Sequence, residues 1–353
     1  MKSNKTVLWG CLIFVVAFIV TFILGFIVTF GIKGAKVAKI PSAAWLYVNP
    51  NALLADYNER EELRFVNVSS PGVQEICDKI KAAAKDDRIK GMLIEPRMVV
   101  TNYPSLAEMS LAIKTFQKSG KPVIAFGDNF TQGDYLLASC AAKIYMEPSA
   151  SAGIALQGVS ANMLFYKEML DKLGIKMHIL QSGAYKGAGE PYSQTELSKG
   201  TRENIAAALQ DIYNQLLAIV AQNRKLDTAK VKAIFEMRED FILGAEKAKE
   251  LQLIDYAMGR DEMLSNLGLE EDKLVKIANY LPAASKHKDD KIAVVYLNGN
   301  IAPVSGLDFS NQSVISEAKV KKIVKQIRQH KEIKAVVLRI NSPGGSALES
   351  ELI

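Results

Sequence analysis

The sequence predicts an α/β protein made of tandem parallel-sheet repeats behind one N-terminal apolar helix. Three observations carry that prediction. An order of amphipathic helix, turn and buried strand occurs twice, with Ile89 and Ile333 at corresponding places 244 residues apart. Short apolar runs alternate with helical patterns, as in βαβ units whose strands are covered on both faces. The stretch from Thr6 to Ile32 carries no charge and is almost wholly apolar. It is longer than the roughly 20 residues a helix needs to cross a bilayer.

Taken in order, the N-terminal run continues into Lys33, Lys36 and Lys39 rather than into small residues, so it reads as a retained transmembrane span and not a cleaved leader. Lys2 and Lys5 flank its other end, so lysine counts do not set the orientation. Cys11 precedes most of its apolar run, which excludes a lipid-modified N-terminus. The net charge of +6 falls to +1 once those five lysines are removed, and nucleic acid is therefore not an expected partner. Cys77 and Cys140 lie in apolar contexts and read as core, with neither a disulfide framework nor zinc spacing. With 49% hydrophobic residues over 353 positions, the chain can hold two domains of ordinary size.

In the first repeat, Cys77 to Arg97 reads as helix, turn and a buried strand Gly91 to Glu95, with another strand upstream near Ala43. A strand Pro122 to Phe126, a turn over Gly127 to Asp134 and a helical stretch from Tyr135 follow. From about Thr201 through Asn223 a long helix carries Ile205, Leu209, Ile212, Leu216 and Ile219 at spacings of three and four, a face for core or subunit packing. In the second copy, a strand at Lys291 precedes a helix from Val320 and a strand Ala335 to Ile340. The expected organisation is an anchor and basic flank over 1–39, a first repeat over 40–280, a polar linker over 281–290, and the opening of a second repeat over 291–353.

The chemistry-bearing segment is ILQSGAYKGAGEPYS, Ile179 to Ser193, where Lys186 stands in a Gly- and Ala-rich run with few neighbouring charges. An ammonium group with the ordinary pKa of about 10.4 is useless as a base near neutral pH, but burial in an apolar site lowers it by several units. So placed, Lys186 would take the part that histidine plays in other serine hydrolases. The plainer alternative is an exposed lysine on a loop. In NSPGGS, Asn341 to Ser346, adjacent glycines let the backbone approach a substrate carbonyl. A strand-ending turn looks the same.

The run from Lys121 to Asn204, with the apolar N-terminus and RINSPGGSALESE from Arg339 to Glu351, resembles the long, two-repeat form of the signal peptide peptidase A (protease IV) family. RINSPGG is also a signature of the wider Clp-protease and crotonase fold group. The resemblance implies tandem Clp/crotonase-like repeats after one transmembrane helix, with Ile242 to Gly259 as a helix that closes the first unit before the chain leaves at Asp255. It implies Lys186 as the general base, the Gly345 amide as oxyanion donor, and Gly344 and Ser346 along the substrate. The implied activity is a Ser/Lys endopeptidase that degrades signal peptides and other apolar peptides, with no cofactor and no metal. The implied setting is a bacterial inner membrane, with a cytoplasmic N-terminus, an extracytoplasmic catalytic part and a homo-oligomeric ring or dome.

In that family the nucleophile lies in a segment like AASGGY after a GKPV strand. The matching stretch here, Gly120 to Tyr135, places Gln132 where the serine would be, and a carboxamide cannot act as nucleophile. Arg97 to Thr101 stand opposite Asn341 to Gly345, so the first repeat also lacks the glycine pair. The repeat spacing carries Gln132 to position 376, past Ile353, so the nucleophilic serine is not expected among these residues. The 353 residues are expected to be inactive alone, as the opening part of a longer protein. Ser182, Ser193 and Ser346 read as structural rather than nucleophilic. Two alternatives stand beside this reading: an inert membrane scaffold or adaptor on the same fold, and a crotonase-like acyl-CoA enzyme. The apolar anchor and the YKGAGEP run argue against the second.

Overall fold

The computed structural model describes residues 40–56, 72–237, 242–282, 290–303 and 314–353. The chain divides into two compact units, one ending at Pro282 and one beginning at Ala283. The transmembrane helix expected over Thr6 to Ile32 lies outside the described residues. Among the described residues no helix is long and apolar enough to cross a membrane.

In the first unit, strands β1 (Ala44–Val48) and β2 (Asn51–Leu53) precede helix α1 (Val73–Ala84), β3 (Ile89–Ile94), β4 (Arg97–Val100) and α2 (Tyr103–Gln117). Then come β5 (Val123–Gly127), β6 (Asn129–Phe130), α3 (Gln132–Ala138), β7 (Lys143–Met146) and β8 (Gly153–Ile154). Short helices α4 (Lys167–Lys172) and α5 (Glu190–Ser193) lead to the long α6 (Lys199–Arg224). The unit ends with α7 (Thr228–Phe235), α8 (Ala245–Glu250), β9 (Tyr256–Ala257), α9 (Arg260–Asn266) and β10 (Leu274–Lys276). Its main sheet runs β10-β1-β3-β5-β7-β9, with every neighbouring pair parallel.

The sheet is covered on both faces, so its central strands show no alternation. β3 is buried except at Lys90, and β5 is buried throughout. On one face Ile76, Ile80, Met109, Ile113 and Phe116 of α1 and α2 share a core with Met92 and Ile94. On the other, Leu93, Ile124 and Phe126 cluster with Met263, Leu264 and Leu269. Gly91 has to be glycine, because a β-carbon there would lie 2.8 Å from the Trp45 indole that crosses it. Cys77 and Cys140 are buried within the larger core, and neither forms a disulfide with a described residue.

Several expected elements shift. The long helix spans Lys199–Arg224, and only its second half enters the core, through Leu216, Leu217, Val220 and Ala221. Ile205, Leu209 and Ile212 stay half-exposed, so that part of the apolar face is only partly covered by the described residues. The closing helix expected over Ile242 to Gly259 is only Ala245–Glu250. Gln252 takes a left-handed φ of 64°, and Leu253 N–H donates back to the Ala248 carbonyl at 2.8 Å, so the helix stops and the chain enters the sheet edge as β9.

In the second unit, β11 (Lys291–Asn298), β12 (Asn300–Ile301), β13 (Val314–Ile315), α10 (Glu317–Gln329), β14 (Ile333–Asn341) and α11 (Ala347–Leu352) follow in order. β11 and β14 pair in parallel as β1 and β3 do. Both pairs carry the same register shift after their first residue: Ala44 faces Ile89 and Trp45 faces Gly91, while Lys291 faces Ile333 and Ile292 faces Ala335. The repeat read from the sequence is therefore a repeat of strand register. β14 is mostly exposed where β3 is buried.

The strap after β10 returns to α1 and the turn beyond it. Lys79 Nζ donates to the carbonyls of Ile277 and Ala278, and Tyr280 Oη donates to Asp86 at 2.9 Å. Hydrogen bonds from the Arg88 guanidinium hold the Asp86 carboxyl down at about 2, against an ordinary 3.8. A carboxyl lowered on folding stabilises the fold above its unfolded pKa and loses that contribution as pH falls through the folded one. Asp86→Asn is therefore expected to lower the thermal midpoint at neutral pH, with the gap from wild type closing between about pH 4 and pH 2. A gap that stays constant across that range would contradict this role.

Candidate active site

Lys186 sits between Gly183, whose φ is 98°, and the 3-10 turn Gly187–Gly189. The backbone here lies against the first turn of α6. A β-carbon on Gly200 would fall 2.3 Å from the Ala184 carbonyl oxygen, and one on Gly187 would fall 2.2 Å from Thr201 Oγ1. The Lys186 side chain is exposed, and no described residue forms an ion pair or side-chain hydrogen bond with it. This corrects the expectation of a buried base: the loop backbone is packed, but the ammonium is not. The residues on the α4 side are bare as well, with Leu180 99% and Tyr185 62% exposed.

In the second unit, Gly344 has φ 101° and Gly345 has φ 156°. A β-carbon on Gly345 would lie 2.0 Å from the Ile301 carbonyl oxygen, so the strand β12 excludes every other residue. Ile301 N–H donates to the Gly344 carbonyl, and Ser346 N–H donates to the Ile301 carbonyl. That pairing turns the Gly345 N–H away from the ladder, and no described acceptor bonds it. An outward backbone donor of this kind is what an oxyanion site requires. Ser346 caps α11, its Oγ accepting from Glu349 N–H at 3.2 Å. Its hydroxyl is thereby committed to the helix.

The corresponding place in the first unit is filled. Met98 N–H and Val99 N–H, in the stretch opposite Asn341 to Gly345, both donate to the carboxylate of Asp134, at 3.0 and 2.9 Å. Thr131 adds its N–H and hydroxyl to the same carboxylate, which is fully buried. Gln132, at the expected nucleophile position, accepts from Gln157 N–H and Gly158 N–H and donates to the Gly158 carbonyl and Tyr103 Oη. Among the described residues of the first repeat, the Met98 and Val99 N–H groups are therefore taken by Asp134, and the expected nucleophile position holds a hydrogen-bonded carboxamide. Ser193 Oγ donates to the Gly189 carbonyl, and Ser182 is exposed.

Sequence reasoning gave no role to Asp134, and it placed Glu190 with Tyr185 and Pro191 in the motif around Lys186 without a contact of its own. Thr131 with Asp134 three positions later spells a capping box, which was a legible signal. Glu190 is 1% exposed and accepts from Ser198 N–H, Ser198 Oγ and Thr201 Oγ1. No pattern in the sequence announces that contact.

Residues 115–274 match the model of peptidase family S49. The chain is 31% identical to "Protease 4" of Haemophilus influenzae over 92% of its own length and 56% of that protein. It is 29% identical to "Protease 4" of Salmonella typhi, over 79% of this chain and 46% of that one. It is 28% identical to "Serine protease SPPA, chloroplastic" of Arabidopsis thaliana, over 81% and 43%. The chain thus spans about half the length of the curated relatives it matches. The S49 segment contains Lys186, and these relatives match most of this chain.

Proposed function

We propose that this chain provides the base and the oxyanion donor of a membrane-anchored serine endopeptidase acting on signal peptides and other apolar peptides. The observation that carries the reading is Lys186, an amine without an ionic partner among the described residues, on a loop whose backbone is held against α6. In this reading a serine hydroxyl attacks the scissile carbonyl while the neutral Lys186 Nζ takes its proton, and the Gly345 N–H stabilises the resulting oxyanion. The protonated amine then gives the proton to the leaving nitrogen, and water cleaves the acyl-enzyme. No serine among residues 1–353 is assigned as that nucleophile. The apolar run Thr6 to Ile32 supports the substrate class, since apolar peptides concentrate at the bilayer. A homo-oligomeric assembly belongs to the same proposal.

In the protein expressed from its own gene, Lys186→Ala is expected to lower the hydrolysis of an apolar fluorogenic peptide by roughly 10²- to 10⁴-fold, with the thermal midpoint unchanged. Lys186→Arg is expected to be equally inactive, since arginine keeps the charge but cannot give up a proton. Substantial turnover by the arginine variant would show that the residue supplies charge alone.

The anchoring half of the proposal has its own test. Protease added to spheroplasts is expected to digest the part beyond Lys39. Protection until lysis would reverse the orientation.

A further inference from the structure

The residue after the Lys186 turn is a buried carboxylate, and its partners belong to the N-terminus of the longest helix. Glu190 Oε1 accepts from Ser198 Oγ at 2.5 Å and from Thr201 Oγ1 at 2.7 Å, and Oε2 accepts from Ser198 N–H at 3.0 Å. Ser198 is the N-cap of α6, its Oγ also accepting from Thr201 N–H. These hydrogen bonds, the Ser198 hydroxyl first, hold the Glu190 carboxyl below the usual carboxylate range. The charge also sits at the positive end of the helix dipole. Thr201, which binds Glu190, is the residue on which Gly187 rests, and its neighbour Gly200 touches Ala184. Gly189 packs on Ile179, where a β-carbon would meet Cγ2 at 2.5 Å. The backbone is therefore fastened to α6 on both sides of Lys186, while the lysine side chain points free.

We infer that Glu190, clasped by Ser198 and Thr201, is a positioning residue that sets the place of Lys186. The inference rests on the proposed role of Lys186 as base. Glu190 touches no reacting atom and acts through the loop. A carboxamide is a poorer partner, because it lacks the charge that suits the helix N-terminus and its NH₂ group either faces the Ser198 N–H or makes both hydroxyls turn from donors into acceptors.

The test uses the gene product with two readouts. Amide hydrogen exchange over residues 183–189 reports the loop, and kcat and KM for the apolar peptide report catalysis. Glu190→Gln and Thr201→Val are expected to speed exchange in that segment and to lower kcat by about tenfold to a hundredfold with KM nearly constant, the scale of a misplaced catalytic group. Thr201→Ser, which keeps the hydroxyl, is expected to restore both. Gly200→Ala leaves the clasp chemistry intact but pushes on Ala184, and it is expected to lower kcat in the same way even if Glu190→Gln does not fold. Wild-type exchange in Glu190→Gln overturns the clasp. Faster exchange with unchanged kcat, beside an inactive Lys186→Ala, overturns the positioning role. If Lys186→Ala remains active, the base reading fails and takes the catalytic half of the inference with it, while exchange still decides the clasp.

Discussion

A parallel sheet covered on both faces is the constraint on which the rest of the first unit depends. Its central strands are apolar over most of their length, so polar chemistry gathers where they end, at the carboxyl edge. There β1, β3, β5 and β7 each continue into a short second strand, and β2 pairs with β4 as β6 pairs with β8. The same edge holds the buried carboxylate Glu95, which accepts from Tyr47 Oη at 2.6 Å and pairs with Arg260 Nε at 2.5 Å. Burial, with Glu95 beside it, keeps the Tyr47 phenol protonated above its ordinary range. A buried charge is tolerated there because both its oxygens have partners.

The two units use that edge in opposite ways. In the second, the chain after β14 needs two glycines to pass Ile301, and the passage leaves the Gly345 N–H outside the ladder. In the first, Met98 makes the left-handed turn at φ 51° without glycine, and the adjacent N–H groups close on Asp134. One carboxylate thus satisfies the donors that would otherwise be buried without partners. Gln132 does the same for the backbone of Gln157 and Gly158. At this edge the first repeat has internal hydrogen bonds where the second leaves a backbone donor outside the ladder.

What was legible in the sequence follows from this division. β3 and β14 were readable because both are continuous apolar runs bounded by turns, though β3 is buried and β14 is mostly exposed, and their spacing of 244 residues persists as a shared register shift. The edge strands β9 and β10 were not readable, since two or three residues carry no period. The shortened helix at Ala245 depended on a left-handed Gln252, a conformation that sequence patterns rarely mark for a residue other than glycine. The position of Lys186 was legible as a motif, but its exposure was not, because whether a side chain is buried depends on surfaces far away in the chain. Glu190 was legible as part of the same motif but its contacts were not, because partners eight and eleven residues on meet it only through the turn into α6.

For the proposed role of Lys186 as a base, its exposure decides where that chemistry would come from. An amine acts as a base only after losing its proton, and desolvation is the force that favours the neutral form. The first unit supplies a fixed backbone and no cover. Yet the loop that carries the lysine also carries bare apolar side chains, Leu180 and Tyr185 among them, whose exposure to water is unfavourable. Any apolar surface laid over this loop would bury both at once, removing water from the amine with the same contact that gains hydrophobic energy. An extended apolar peptide has that character.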